Sequence, residues 1–241
     1  MAESKVALVT GGTRGLGLEL SSFLAGQDYS RVIDGRDLEA LDAARQKLVA
    51  SGATVVAIGG DVSEAAHRTE LVTATGDLGG LDLLVNNASF LGPSPMPTLA
   101  DYPPSELSEV FEVNVIAPVA LSQEALPLLR GRQGLIVNIS SDAALGGYEG
   151  WGGYGASKAA LDLVSLTMAN ELRGSGVSVV SVDPGDMRTQ MHQDAFPGED
   201  ISDRPLPEVT LPFWAWLLNQ DRRAISGQRF QAQAERWAVA A

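Results

Sequence analysis

The chain has 241 residues, of which 45% are hydrophobic and 20% charged, with no cysteine and a formal net charge of −13. This length and composition predict a globular protein with a substantial core, and the lack of cysteine excludes disulfides and thiolate metal sites. The acidic charge argues against nucleic acid and anionic membrane surfaces as partners. We expect a cytoplasmic protein without a membrane partner, because no leader precedes the first strand and no apolar run could cross a bilayer.

Apolar runs typical of β-strands alternate with helical patterns along the chain. Near-continuous Val, Ile and Leu strands between helices are typical of a parallel sheet covered on both faces. We predict a single doubly wound Rossmann-type α/β domain over residues 1–241, with about seven parallel strands. The predicted strands are 6–9, 31–33, 54–58, 81–85, 135–139, 177–182 and 228–231, and the predicted helices are 15–24, 38–50, 65–75, 105–129, 154–173 and 209–218.

An irregular segment at about 186–207 interrupts this alternation, and we predict that it forms a substrate loop. Ligands of open α/β sheets bind beyond the carboxyl ends of the strands, where the motifs described below converge. Two histidines, His67 and His192, lie far apart in the sequence. Zinc sites need several ligands at regular spacings, so we expect no metal and interpret both histidines as surface or loop residues.

The first motif is glycine-rich and runs from Thr10 to Gly17, directly after the first predicted strand. Its glycines permit a tight turn and let backbone N–H groups approach a pyrophosphate at a helix N-terminus. Such patterns are common in loops and indicate little alone. Here a strand precedes the glycines and a helical pattern follows them, which predicts a dinucleotide-binding turn.

The second motif pairs Tyr154 with Lys158 at the start of a predicted helix. Residues four apart share a helix face, so the phenol and the ammonium face the same cavity. A free tyrosine ionises near pKa ~10. The nearby cation is expected to lower that pKa toward the range useful for acid–base catalysis.

Shorter signals complete the pattern: Asn86-Asn87-Ala88, Asn114, Ser140-Ser141 and Pro184-Gly185. With the glycine turn, Tyr154 and Lys158, they make the chain similar to the short-chain dehydrogenase/reductase family from Lys5 to about Phe230. Each motif is common, whereas their combination in this order is specific. The resemblance implies hydride transfer between a nicotinamide cofactor and a carbonyl or secondary alcohol substrate, by a homodimer or homotetramer.

The resemblance also implies a role for four side chains. Tyr154 is expected to be the general acid or base, and Lys158 to lower its pKa and bind the nicotinamide ribose. Ser141 is expected to bind the substrate oxygen, and Asn114 to hold a water that links Lys158 to solvent. Ser140 is the rival serine, but strand neighbours face opposite sides, and the spacing to Tyr154 favours Ser141.

The end of the second strand indicates which cofactor to expect. An acidic residue there binds the ribose 2′-hydroxyl of NAD, but by resemblance the deciding position is Gly35, followed by Arg36. Glycine leaves room for a 2′-phosphate and arginine supplies a bidentate donor. We therefore favour NADP, with Arg14 as a second basic residue. The alternative is that Arg36 is solvated and Asp34 takes the acidic role, which gives NAD.

The resemblance implies further cofactor contacts. Asp61 is expected to bind the adenine amino group, although it or Ser63 could instead cap the following helix. The expected cofactor-binding residues are Gly11, Thr13, Arg14, Gly15, Leu16, Gly17, Gly35, Arg36, Asp61, Val62, Asn87, Ala88, Tyr154, Lys158, Pro184, Gly185, Met187 and Thr189.

The sequence leaves the substrate open. Two positions depart from the family pattern: Ser89 stands where glycine is frequent, and Asp183 stands where asparagine is frequent. Neither removes a catalytic group. Candidate wall residues for an apolar substrate pocket are Phe90, Leu91, Tyr148, Trp151, Met187, Met191 and Phe196.

Two other functions stay open: an epimerase or dehydratase that retains its cofactor, and a non-catalytic dinucleotide-sensing protein. The compact chain argues against the first, and the intact Tyr154 and Lys158 pair argues against the second. For assembly, the resemblance implies an interface built from helices 105–129 and 154–173. Apolar residues occur all round the first of these, as expected if it packs on the sheet and on a partner.

Overall fold

The computed structural model describes residues 4–50, 52 and 54–239. Within them lie seven strands: β1 (Lys5–Val9), β2 (Tyr29–Gly35), β3 (Val55–Gly59), β4 (Leu83–Asn86), β5 (Leu135–Ile139), β6 (Ser178–Asp183) and β7 (Arg229–Gln231). The strands form one sheet in the order β3-β2-β1-β4-β5-β6-β7. Every pairing is parallel, so the predicted fold class is confirmed.

Helices connect the strands and cover both faces of the sheet. They are α1 (Gly15–Ala25), α2 (Leu38–Val49), α3 (Ala65–Asp77), α4 (Pro104–Phe111), α5 (Ala117–Arg132), α6 (Ala143–Gly146), α7 (Gly152–Glu171), α8 (Gln190–Ala195), α9 (Leu211–Leu218) and α10 (Arg222–Ile225). No helix among the described residues is long and apolar enough to cross a membrane.

The structure differs from the predicted elements at several places: the sequence predicts neither α6 nor α10, and the helix predicted at 209–218 begins with a 3-10 turn at Pro207–Thr210. The predicted helix at 105–129 is divided into α4, a π-helical turn at Glu112–Ile116 and α5. The segment at 186–207, predicted as irregular, contains α8. Helices α6, α8 and α10 have only four to six residues, which is too short for an apolar period to appear in the sequence.

Successive residues of β1 face opposite sides of the sheet and build two hydrophobic cores. Ala7 and Val9 pack with residues of α1, α2 and α9. Leu8 packs on the other face with residues of α3, α5 and α7. A strand that is buried on both faces must be apolar throughout, which is why this run was recognisable in the sequence.

Strand β1 lies between β2 and β4, so the strand order reverses there. The register pairs Val9 with Ile33 on one side and with Val85 on the other. The three strands therefore end at nearly the same level. Open α/β sheets bind ligands in the crevice at such a reversal, and the turns after these strands border it.

Candidate active site

A cavity of about 990 Å³ lies at the carboxyl ends of the strands. The glycine turn, the ends of β2 and β3, the loops after β4, β5 and β6, and the start of α7 form its walls. The structure brings together there all the site residues expected from the sequence except Gly17 and Asn114. In the described part of the chain, no group of three or more His, Cys, Asp or Glu side chains could hold a metal ion.

Hydrogen bonds tie the glycine turn to the end of β4. The Thr10 hydroxyl accepts hydrogen bonds from the backbone N–H groups of Asn87 (2.9 Å) and Ala88 (3.0 Å). The Asn87 amide donates to the Thr10 carbonyl at 2.8 Å. Gly11 and Gly15 adopt φ values of 65° and 55°, a region that favours glycine. A side chain at either position would disfavour these φ values, so the shape of the turn depends on glycine at both.

Asp34 lies below the glycine turn and is 1% exposed. Its Oδ1 accepts a hydrogen bond from the Gly11 N–H at 2.6 Å, and its Oδ2 lies 3.0 Å from Nε2 of His67. Both carboxylate oxygens thus have protein partners. The interpretation of His67 as a surface or loop residue is wrong: it belongs to α3 and is buried, because its ring fills the space beside Gly60.

The end of β2 offers room and positive charge. A Cβ added at Gly35 would collide with the methyl group of Thr13, so no acidic side chain fits there without rearrangement. Arg14 and Arg36 both line the cavity. The Arg36 side chain is 64% exposed, and its Nη1 lies 3.6 Å from Oδ2 of Asp61. Two guanidinium groups are therefore available to an anion at this corner.

Asp61 follows β3 and does not cap a helix. Its Oδ1 accepts hydrogen bonds from the N–H (2.9 Å) and the hydroxyl (2.8 Å) of Ser63. Helix α3 begins after Glu64, without a side-chain cap, so the capping alternative is wrong for Asp61 and for Ser63. Burial raises the pKa of Asp61, but the Ser63 hydrogen bonds and the charge of Arg36 outweigh it and hold the pKa below its usual value.

Tyr154 is 8% exposed at the inner end of the cavity. Burial raises the pKa of its phenol above the ordinary value. A hydrogen bond with Ser89 lowers that pKa, the charges of Asp183 and Asp142 raise it, and a hydrogen bond with Ser141 lowers it. The net shift is upward, so the expectation of a lowered Tyr154 pKa is wrong for this arrangement.

The burial of Lys158 explains why its charge does not reverse this shift. Lys158 is 2% exposed, its Nζ donates to the Ile139 carbonyl at 2.8 Å, and Nζ lies 5.4 Å from the centroid of the Tyr154 ring. Burial lowers the Lys158 pKa to about 8, although the charge of Asp162 raises it. The cation beside the phenol is itself costly to form, because burial disfavours every charged form.

Ser141, rather than Ser140, lies beside Tyr154. The Ser141 hydroxyl donates to Oδ1 of Asp142 and accepts from the N–H of Ala143, both at 3.1 Å, and it also hydrogen-bonds Tyr154. The Ser140 hydroxyl is buried and has no hydrogen-bond partner among the described residues. This geometry agrees with the spacing argument, while the catalytic role of Ser141 stays a prediction.

Asn114 and Gly17 lie behind the cavity wall. Asn114 occupies the π-helical turn and is 1% exposed. Its Oδ1 accepts from the N–H of Phe90 (2.8 Å) and the hydroxyl of Ser89 (3.0 Å), and its Nδ2 donates to the Phe90 carbonyl (2.9 Å) and the Ser157 hydroxyl (3.0 Å). These bonds use all the donors and acceptors of an amide. Here Asn114 braces the loop after β4, and its role in a water relay stays a prediction.

Gly17 allows close packing rather than ligand contact. A Cβ added at Gly17 would collide with the Gly11 carbonyl oxygen and approach the Asn87 amide. Helix α1 can therefore lie directly against the glycine turn only because position 17 carries no side chain. The predicted role of Gly17 in cofactor binding stays a prediction.

A row of contacting aromatic rings extends from Tyr154 to His192 on α8. Ring centroids are 5.9 Å apart for Tyr154 and Trp151, 5.9 Å for Trp151 and Phe196, and 4.9 Å for Phe196 and His192. The Thr189 hydroxyl caps α8 by accepting from the N–H of His192. The His192 side chain is 9% exposed, so its interpretation as a surface or loop residue is also wrong.

The remaining candidate wall residues divide into two groups. Tyr148 is 49% exposed and bonds Asp142, and neither Tyr148 nor Phe196 lines the cavity. The others lie in its wall: Phe90, Leu91, Trp151, Met187 and Met191. The cavity therefore has an apolar end next to Tyr154 and a charged end next to Arg36.

Three residues that the sequence motifs do not assign to the site belong to the surroundings of Tyr154 and Ser141. Ser89 and Asp142 shift the Tyr154 pKa. Arg229, on β7, donates through Nη2 to the Ser141 carbonyl at 2.9 Å. The one available signal was Asp183, because an acid at a position where asparagine is frequent calls for a cationic partner once it is buried.

The comparisons with known proteins give the family. The family model described as short chain dehydrogenase matches residues 5–200. The 3-oxoacyl-(acyl-carrier-protein) reductase of rhamnolipid biosynthesis from Pseudomonas aeruginosa is 36% identical over 230 residues, which is 92% of this chain and 87% of that protein. The chain therefore belongs to the short-chain dehydrogenase/reductase family, and the predicted class of enzyme is confirmed.

Solved structures of related proteins have the same fold as this chain. A protein of Shigella flexneri 2a assigned to the short chain dehydrogenases and solved in complex with NADP has a TM-score of 0.86 and 29% identity, and the match covers 95% of this chain and 97% of that one. A variant of the actinorhodin polyketide ketoreductase, solved with NADPH, has a TM-score of 0.86 and 25% identity, with 96% of each chain covered.

Proposed function

We propose that this protein is an NADP(H)-dependent carbonyl reductase, or an alcohol dehydrogenase in the reverse direction. The observation that carries the proposal is the position of the Tyr154 phenol, which is buried in the cavity beside Lys158 and hydrogen-bonded with Ser141. A phenol in this setting can exchange a proton with a substrate oxygen. Residues 1–241 would act as one domain, with the 186–207 segment on the substrate side.

The residues at the end of β2 fit NADP better than NAD. The ribose 2′-hydroxyl of NAD would need a free carboxylate, whereas Asp34 already bonds Gly11 and His67. A 2′-phosphate would find Arg14 and Arg36 in the cavity wall. The NADP and NADPH complexes of the two related structures support the same choice.

The positions of the other expected residues in the cavity wall suggest which part of the cofactor each would contact. The glycine turn would hold the pyrophosphate, Asp61 and Val62 the adenine, and Lys158 the nicotinamide ribose. Pro184, Gly185, Met187 and Thr189 would border the nicotinamide. When bound, the reduced nicotinamide supplies the hydride, and the protein supplies the proton.

At neutral pH, the raised pKa of Tyr154 favours reduction of a carbonyl substrate over oxidation of an alcohol. A phenol whose pKa lies above its ordinary value is protonated there, so Tyr154 is ready to donate a proton to the oxygen of a carbonyl substrate. Ser141 would hold that oxygen by turning its single hydroxyl hydrogen from Asp142 to the substrate. The reverse reaction needs the phenolate, and alkaline pH would therefore favour alcohol oxidation.

The apolar end of the cavity indicates the kind of substrate. Trp151 and Leu91 pack near Tyr154, and Met187 lines the same cavity, which suits a small carbonyl compound with an apolar body. The relatives named as ketoacyl or polyketide reductases are compatible with such a substrate.

A panel of ketones, aldehydes and secondary alcohols tests the proposal through the absorbance of NADPH. Oxidation of NADPH by at least one carbonyl compound is the expected result. An isomerised or dehydrated product without net cofactor turnover would instead establish the epimerase or dehydratase alternative. Tight NADPH binding with no turnover on any compound would favour the dinucleotide-sensing alternative.

A further inference from the structure

Arg229 connects three segments behind the proposed catalytic group. From β7, its Nε lies 2.9 Å from Oδ2 of Asp162 on α7, and its Nη2 lies 3.2 Å from Oδ2 of Asp183 at the end of β6. The same Nη2 donates to the Ser141 carbonyl at 2.9 Å. The guanidinium is 22% exposed, Asp162 is 16% exposed and Asp183 is 4% exposed. One cation therefore serves two largely buried carboxylates and one backbone carbonyl.

Through each of these contacts, Arg229 is connected to a residue with a role in the proposed proton transfer. Asp183 raises the pKa of Tyr154 through its charge. Asp162 lies one helical turn after Lys158 and raises the pKa of that lysine. The carbonyl that Arg229 holds belongs to Ser141, whose hydroxyl bonds Tyr154. Arg229 itself does not line the cavity, so it can act only through its partners.

We propose that Arg229 is a positioning residue of the active site, which fixes the backbone of Ser141 and offsets the charge of two buried carboxylates. The inference rests on the proposed function, because it assigns Arg229 to the proton transfer of Tyr154. Without the guanidinium, Asp183 would be a buried charge close to the phenol with no counter-ion, although its Oδ1 would still accept the Gly185 N–H at 3.0 Å. A buried carboxylate without a counter-ion is costly and strongly repels a second negative charge.

The direction of the effect follows from the charged groups around Tyr154. Asp183 faces it from the end of β6, Asp142 from the loop after β5, and Lys158 from its own helix. Loss of the Arg229 charge leaves this surrounding more negative, so the phenolate becomes harder to form. Alcohol oxidation needs the phenolate, and its pH midpoint should therefore move upward.

Three variants separate charge from structure: Arg229→Gln, Arg229→Lys and the double variant Arg229→Gln/Asp183→Asn. Oxidation of a secondary alcohol by NADP is measured over a pH series, together with NADP affinity and thermal unfolding. Arg222→Gln is the matched control, because Arg222 donates to the Gln133 carbonyl, before β5, rather than to the site. It removes the same charge from the protein without altering the surroundings of Tyr154.

We expect Arg229→Gln to raise the pH midpoint of oxidation by about one unit, the lower end of the range for a nearby charge. Below the midpoint, this shift lowers the rate about tenfold. Arg229→Lys and Arg222→Gln should keep the native midpoint. Asp183→Asn in the Arg229→Gln background should bring the midpoint back, because it removes the unpaired carboxylate. NADP affinity should stay within about twofold, since Arg229 lies outside the cavity.

Three results would overturn the inference. An unchanged midpoint in Arg229→Gln means that the arginine does not act on Tyr154. A raised midpoint that Asp183→Asn does not bring back means that Arg229 does not act on Tyr154 through the charge of Asp183. If Arg229→Gln fails to fold, Asp183→Asn alone decides: it should lower the native midpoint, and an unchanged midpoint contradicts the charge argument. A native protein that reduces no carbonyl compound and oxidises no alcohol contradicts the proposed function itself, which is a distinct outcome.

Discussion

The Asp34 carboxylate and the His67 imidazole form a buried pair below the glycine turn, with Oδ2 and Nε2 3.0 Å apart. The other oxygen of Asp34 accepts the N–H of Gly11 at 2.6 Å. The acid that stands nearest to the expected ribose position in the sequence therefore belongs to the scaffold of the turn. This is the main structural argument for NADP over NAD.

Asp34→Ala should lower the stability of the protein more than Asp34→Asn. The alanine leaves the Gly11 N–H and the His67 ring nitrogen without partners, at about 1–3 kcal/mol for each buried group, whereas asparagine retains an acceptor for Gly11. Urea unfolding measures both effects, with the exposed Asp42→Ala as a control that should change little. Unchanged stability with a selective loss of NADH affinity would show that Asp34 binds the ribose instead.

Arg36→Ala should weaken NADPH binding by about 1.5–3 kcal/mol, the range for a charge-assisted hydrogen bond. The affinity for NADH should change little, because NADH has no 2′-phosphate. Titration of both cofactors measures the difference, and Arg45→Ala is the control, since Arg45 pairs with Asp42 on an exposed face of α2. Equal binding of NADH and NADPH by the native protein would contradict the assignment.

The stability of the protein should depend on pH through Lys158. Burial lowers its pKa to about 8 in the folded state, so the unfolded chain binds more protons between pH 8 and the ordinary lysine pKa of ~10.4. The contribution of Lys158 to stability therefore rises with pH in this window, by at most about 1.4 kcal/mol per pH unit.

Lys158→Met should remove this rise, because methionine keeps much of the apolar stem and carries no proton. The measurement is the free energy of unfolding of both proteins between pH 8 and about pH 9.5, below the ordinary pKa of ~10 at which tyrosine ionises in the unfolded chain. Parallel curves for the two proteins would show that the Lys158 pKa is not lowered.

The native protein should form a dimer or tetramer in solution. Leu163 and Leu166 on α7 and Ile116 in the π-helical turn are 65%, 46% and 50% exposed, which leaves an apolar surface on the helices that the family resemblance assigns to the interface. Light scattering at micromolar concentration measures the mass. Leu163→Glu should reduce it and the equally exposed Leu38→Glu should not, whereas a monomeric native protein would overturn the prediction.

The features that a local pattern encodes could be predicted from the sequence. The sequence predicts strand β5 at its observed bounds, because a strand buried on both faces is almost wholly apolar and Asn138 is the one polar residue of this run. The glycine turn was recognised because a strand precedes it and a helix follows. Ser141 was preferred to Ser140 from spacing alone, and the structure places its hydroxyl beside Tyr154.

The features that depend on distant residues could not be predicted. Asp34 and His67 are 33 positions apart, and neither sequence position reveals the other. The pKa of Tyr154 was expected to fall because Lys158 is close in sequence, but burial decides its direction, and burial is a property of the folded chain. Arg229 belongs to the last strand, far from every motif, and only the sheet brings it to Asp183.

Turnover and NADPH affinity of Tyr154→Phe, measured side by side, test the central claim most directly. Phenylalanine removes one oxygen and preserves the ring that packs on Trp151. We expect native NADPH affinity with turnover reduced roughly 10²–10⁴-fold, the usual contribution of a positioned proton donor. Near-native turnover in Tyr154→Phe, on a substrate that the native protein accepts, would contradict it.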